Sequence, residues 1–347
     1  MAVSPVDTLI FAPLAPILGV LLFWFIQLVF IESQKYLLSK IRPKHEPLCR
    51  FTNFIGILFQ TICHALGYTV TISGISHFSV SIHYGRVKPK KEKKGIFEWI
   101  SNSFLFIGPF FIPSAVLLIC LVFLMDPAAF NISIGAYDSF ASGLQTFGSN
   151  LYIFSEGFFS FLIGIDLLHP AHLGFFLLLV FLGMGIRPSY IGEEQKKKVD
   201  MVYDLKNIKS HIIHKPLYLV LLFLLAYVFY YISFLLQMNW YIALFSIFGW
   251  LSIIAIIALL VAHSIILLIR TTDTIPRYWK LLPYITIPIS YILIRLIFFY
   301  FPVENFRSIS LLVMIISTII VTLLLLKYKT NRCELPPTKS MVSKEGS

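Results

Sequence analysis

Residues 241–269 read YIALFSIFGWLSIIAIIALLVAHSIILLI, and no Asp, Glu, Lys or Arg interrupts them. A helix of about 20 apolar residues already crosses the hydrocarbon core of a bilayer. In water such a helix would have to be buried on every side. The remainder of the chain cannot bury it, because it is made of the same material. Of 347 residues, 58% are hydrophobic and only 13% are charged, and the mean hydropathy is +0.83. Too few polar groups remain to clothe a soluble globule, so the lipid bilayer is the solvent this composition calls for.

Outward from that stretch, apolar runs of spanning length recur at 9–31, 104–125, 217–237, 281–301 and 308–326, with Arg295 the one charge inside them. Two more are less clean: 54–70 contains Gln60, Thr61 and His64, and 147–186 is long enough for one span and a further re-entrant or interfacial piece. The length criterion therefore predicts an all-α polytopic membrane protein with about eight transmembrane helices. The run 9–31 is too long for the core of a cleaved signal peptide and lacks a basic start, so it reads as an anchor that stays.

The net charge of +11 sits in short Lys/Arg runs between apolar stretches, not on one basic domain, which argues against a nucleic-acid partner. The runs 86–94, 193–215, 270–280 and the tail from Lys327 are basic, as cytoplasmic loops are. The segment 126–146 has acidic residues and no basic ones, so it belongs outside. A multi-pass protein with a cytoplasmic C-terminus is expected. One stretch conflicts: alternation places 32–50 outside, although it carries Lys35, Lys40, Arg42, Lys44 and Arg50. The chain divides on this reading into an N-terminal anchor and loop (1–50), a membrane core (51–215), a four-helix transmembrane bundle (216–330) and a cytoplasmic tail (331–347). Cys49, Cys63, Cys120 and Cys333 are scattered without disulfide or metal spacing and read as reduced.

Two segments depart from simple spans. Residues 68–87, YTVTISGISHFSVSIHYGRV, alternate β-branched or aromatic residues with small polar ones around Gly74, which predicts a small membrane-associated β-hairpin. Residues 193–214 place Met201, Leu205, Ile208 and Ile212 at helical spacing among lysines, which predicts an amphipathic helix on the anionic inner leaflet.

The run Phe59-Gln60-Thr61-Ile62-Cys63-His64-Ala65-Leu66-Gly67 precedes the hairpin, a basic loop, and then Gly108-Pro109 in the next span. That order resembles the site-2 protease family of intramembrane zinc metalloproteases, over roughly residues 50–215. The resemblance implies a helix carrying H-E-x-x-H, whose two histidines at i and i+4 grip zinc while the Glu acts as general base. A third ligand, an Asp, comes from a later span. Here Gln60 stands at the first His, Thr61 at the Glu, and His64 alone matches. Ile112 stands where an Asn would follow Gly-Pro, and the stretch 173–192 contains no Asp.

A neutral amide is a poor zinc ligand, and a Thr cannot take a proton from water at neutral pH. The resemblance thus implies a non-catalytic pseudoprotease that holds another membrane protein or a transmembrane segment in the old substrate groove. No cofactor is expected, with zinc the one left open. Two alternatives stay open as well: an active zinc metallopeptidase with displaced ligands, and a small membrane transporter. Arg295 together with Pro276, Pro283 and Pro288 keeps the transporter in view.

A second constellation is Asp166, His169 and His172, near one face if helical, and able with His64 to offer metal ligands. Pro170 interrupts that helix, and a solvated turn is the other reading of the same residues. His77, His83, His211 and His214 read as polar surface. No Gly-rich phosphate loop or nucleophile elbow is present, so phosphoryl transfer and serine hydrolysis have no support.

Overall fold

The computed structural model describes residues 4–82, 84–132, 137–185, 216–276, 278–301 and 303–333, excluding the side chains at 105–107, 109 and 329–333. The segment 193–214, the end of the stretch 173–192, the tail beyond Cys333, and His83, His211 and His214 lie outside the described residues.

In chain order the described elements are α1 (Leu14–Ile41), α2 (Glu46–Val70), β1 (Ile75–Val80), β2 (Gly85–Pro89), α3 (Ile96–Leu124), α4 (Phe140–Ile163) and α5 (Pro170–Gly185). They continue with α6 (Pro216–Leu235), α7 (Trp240–Thr272), α8 (Leu282–Tyr300) and α9 (Phe306–Cys333). A π-helical turn, Asp7–Phe11, precedes α1. Among the described residues five stretches are helical, long and apolar enough to cross a membrane: Asp7–Ile41, Pro216–Leu235, Trp240–Thr272, Leu282–Tyr300 and Phe306–Tyr328. Shorter apolar helices cover Phe110–Leu124 and Pro170–Gly185. The chain is an integral, multi-pass membrane protein.

Two boundaries differ from the sequence reading, and one expected division is now located. The first helix does not stop at Ile31 but runs to Ile41, and beyond the apolar run Glu32 and Lys35 pair at 2.8 Å one turn apart, which adds modest support to the helix. The basic stretch 32–50 is therefore mostly two helix ends joined by a short turn, in which Lys44 and His45 donate their N–H groups to the Ile41 carbonyl. The apolar stretch 147–186 is cut into α4 and α5, the second starting at Pro170, where a proline's fixed φ and missing N–H cost nothing. The hairpin begins later than its sequence signal, since α2 keeps Tyr68–Val70.

The chain falls into two units: Met1–Leu162 with Asp166–Ile266, and Ile163–Ile165 with Leu267–Ser347. Within the first, α2 contacts α3, α5 and both strands. Small residues bring these backbones close, as they do wherever apolar burial gives helices no reason to associate in lipid. A Cβ on Gly67 would stand 2.8 Å from the Ser101 carbonyl of α3, and one on Gly183 would stand 2.2 Å from the Ala258 carbonyl of α7.

Polar side chains inside the apolar helices are spent on contacts between helices. Gln34 of α1 donates from Nε2 to the Gly183 carbonyl at 3.2 Å and the Met184 carbonyl at 3.4 Å in the last turn of α5. Ser33 bonds His263 of α7 at 3.1 Å. Asn150 of α4 donates to Ser246 of α7 at 3.0 Å, and its own carbonyl accepts from the Trp250 indole at 3.2 Å. Tyr227, Tyr231 and Tyr241 donate to the carbonyls of Ile10, Leu9 and Pro13, which hold the widened turn before α1 in place.

In the second unit α8 and α9 pack along each other. Arg295 sits over the Phe306 ring at 4.6 Å, and Thr272 bonds Tyr284 at 2.7 Å. Asp273 and Lys280 form an ion pair.

Candidate functional site

α2 carries the motif positions. It starts at Glu46 with Pro47 in its first turn and an Arg50–Glu46 pair at 2.7 Å. Its buried residues include Ile55, Ile57, Phe59, Thr61, Cys63 and Gly67. It stops where the N–H and the hydroxyl of Thr71 both donate to the Gly67 carbonyl.

Gln60 and His64, four residues apart, share a face, and both are half-buried. His64 stacks on Tyr68, ring centroids 6.0 Å apart. Its Nδ1 is buried with no hydrogen-bond partner among the described residues. Thr61 lies on a neighbouring face, and its hydroxyl donates to the Ile57 carbonyl at 2.6 Å.

The hairpin closes over that same position. β1 and β2 pair antiparallel with Phe78 opposite Val87, Ser79 opposite Arg86 and Val80 opposite Gly85. Opposed residues share a sheet face, so Phe78, Val80, Gly85 and Val87 form one face and His77, Ser79, Arg86 and Lys88 the other. Gly85 shows which face meets α2. A Cβ there would stand 1.9 Å from Thr61 Oγ1 and 3.1 Å from Ile57 Cγ2. Only a glycine lets the strand lie this close. Thr61 precedes the end of α2 by about nine residues, roughly 14 Å of helix, so the hairpin folds back along α2 towards its middle.

α3 closes the other side. A Cβ on Gly108 would stand 2.7 Å from Cys63 Sγ, so the glycine lets α3 pack directly against the motif helix.

Zinc does not fit the motif positions: they offer one imidazole, one neutral amide and one hydroxyl already given to a backbone carbonyl. Asp166, His169 and His172 are brought together, but as the brace that starts α5. Asp166 Oδ1 accepts from the Leu168 N–H at 3.1 Å, and its carbonyl accepts from the His169 N–H at 2.9 Å. The Asp166 N–H in turn donates to His172 Nδ1 at 3.1 Å, which assigns that ring's proton to Nε2. The two imidazoles lie 4.8 Å apart. Among the described residues no three His, Cys, Asp or Glu side chains form a group that could hold a metal ion, His64 and the Asp166 cluster included.

Sequence reasoning singled out Gly108 but passed over Gly85 and the polar contacts between the other helices. Gly85 had no signal beyond being a glycine in a predicted strand. Gln34, Ser33 with His263, and Asn150 with Ser246 did carry one, as polar residues in or beside apolar stretches, where an unpartnered polar group is costly.

No family model, no curated protein and no solved structure matches this chain.

Proposed function

We propose that this protein is a non-catalytic relative of the site-2 proteases that holds an extended segment of a membrane partner beside α2. In this reading α2, α3 and one crossing from the α4–α5 region join the five long helices to make eight spans.

The observation that carries the proposal is the contact of Gly85 with Thr61. It supports two steps. It fills with strand the position from which a general base would act, and the residue there is a hydroxyl bonded to its own helix. It also sets a two-stranded sheet beside the middle of a membrane helix, with outer strand edges that lipid cannot satisfy. Such an edge accepts an extended chain by backbone hydrogen bonds, with loose demands on sequence. A groove of this kind suits a protein that retains or escorts a membrane segment.

The test is a reconstituted one. A photoreactive residue replacing Phe78 should crosslink a single-span probe peptide whose juxtamembrane part is extended, and should leave the probe whole. A photoreactive residue at Leu221 on α6 should not. Cleavage of the probe, or one zinc per chain in purified protein, would replace this reading with the metallopeptidase. Equal crosslinking from both positions would remove the groove.

A further inference from the structure

The geometry points to a docking surface for anionic lipid headgroups at the base of the hairpin, built from Ile72 and the exposed amino groups of Lys88, Lys90, Lys91 and Lys94. The inference rests on reading α2 and α3 as spans, since it is the exit of α2 at Val70 and the start of α3 at Ile96 that put residues 71–95 at one face of the bilayer.

The base of the hairpin is a single braced piece. The Lys90 N–H donates to the Gly74 carbonyl and the Lys91 N–H to the Ser73 carbonyl, both at 3.0 Å. Lys93 reaches back from Nζ to the Thr71 carbonyl at 2.7 Å and lies over the Phe97 ring at 4.9 Å. The hydroxyls of Thr71 and Ser73 bond each other at 2.9 Å. One lysine of the run is thereby committed to holding the turn, while Lys88, Lys90, Lys91 and Lys94 are exposed.

Inside this brace sits Ile72, with φ +54 and 81% of its surface exposed. A β-branched residue in the left-handed region is strained, and it persists only where its surroundings over-determine it. Here the surrounding hydrogen bonds fix the backbone so that the apolar side chain stands outward, next to Val70, which is also exposed. An exposed apolar wedge beside exposed ammonium groups is the two-part surface that lies at a headgroup boundary. The aliphatic side chains enter the acyl layer, and the lysine stems run along it with their charges among the headgroups.

Charge selects the kind of lipid. From 86 to 94 the chain carries Arg86 and five lysines against one carboxylate, Glu92. A zwitterionic headgroup offers such a cluster little net attraction, whereas an anionic one attracts each lysine appreciably. Lys88, nearer the base than Arg86, lies on the sheet face turned away from α2 and so joins the patch.

Full-length protein in lipid nanodiscs tests this by lysine acetylation rates read by mass spectrometry. In phosphatidylglycerol discs at low salt, Lys88, Lys90, Lys91 and Lys94 should react about fivefold more slowly than in phosphatidylcholine discs. About 0.5 M salt should remove most of the difference, because it shortens the screening length to a few ångströms. Lys40 serves as reference. The same rates in both discs, or an equal slowing of Lys40, would overturn the proposal.

A fluorophore on Ile72→Cys, in a Cys120→Ser and Cys333→Ser background, separates the two ways of failing. Quenching by brominated acyl chains together with unchanged lysine rates would remove the charge recognition and keep the hairpin at the bilayer. No quenching in either disc would remove the spans of α2 and α3, and the docking surface with them.

Discussion

At Ile72 a β-branched residue holds φ +54, a conformation that costs of order 1–3 kcal/mol in a non-glycine residue. Glycine adopts it freely but raises the entropy of the unfolded chain, an opposing effect of about 1 kcal/mol or less. Ile72→Gly should therefore raise the melting temperature of the detergent-solubilised protein, by the equivalent of about 1 kcal/mol. A lower melting temperature would mean that this backbone is not strained. Residue chemistry also governs attempts to revive the motif. In the double variant Gln60→His with Thr61→Glu, the Glu carboxylate must enter the space that Thr61 Oγ1 and Gly85 already fill. A carboxylate buried at membrane depth costs about 3 kcal/mol on insertion scales. The double variant should be less stable than the wild type and cleave no membrane substrate; a cleaved substrate band on a gel would refute this. That Gln60 and His64 share a helix face was legible in the sequence, because a spacing of four fixes it. Gly85 was not, because nothing along the chain says that a strand's glycine will face a particular threonine of the preceding helix.

Between elements, contacts of backbone on small residues carry what burial of apolar area cannot supply in lipid. Gly183 is such an approach between two backbones: a Cβ there would stand 2.2 Å from the Ala258 carbonyl, and a main chain cannot rotate away as a side chain can. Gly183→Ala should push α5 from α7 at a cost of about 1–3 kcal/mol, the range for overpacking a filled interior. The adjacent Gln34→Leu should cost about 1–2 kcal/mol, because it leaves the Gly183 and Met184 carbonyls without their donor. The sites share α5's end, so the double variant should lose less than the two single losses combined. Strict additivity in melting experiments would show that Gln34 and Gly183 act independently. Helix existence was legible wherever the apolar run exceeded the bilayer's thickness. The end of α1 was not, since α1 outruns its apolar stretch past the Glu32–Lys35 pair; the break before α5 was legible in Pro170, but the brace of Asp166 and His172 beside it was not, because it forms only when the chain turns.

For the whole molecule, parity decides more than composition does. Four long apolar helices, α6 to α9, follow one another with short connections between them. If each crosses, an even number of crossings separates the residues before Pro216 from those after Tyr328, and both must lie on one side. The connection between α7 and α8 follows two crossings and lies on that side too. These three places hold the basic runs 193–215, 270–280 and the tail from Lys327, whereas the connections after α6 and α8 hold no Lys or Arg up to Asn305. Helix lengths and loop charges are independent properties of the chain, and they agree. On the positive-inside rule the prediction is that this common side is the cytoplasm. Single cysteines at Ser210, Thr274 and Ser340, introduced one at a time into a cysteine-free background, should all resist a membrane-impermeant thiol reagent in intact cells and react after permeabilisation. A cysteine at Asn239 should react before it. Labelling of Ser340→Cys alone in intact cells would mean that one of the four helices does not cross. Labelling of all three basic positions, with Asn239→Cys protected, would keep the parity and invert the protein.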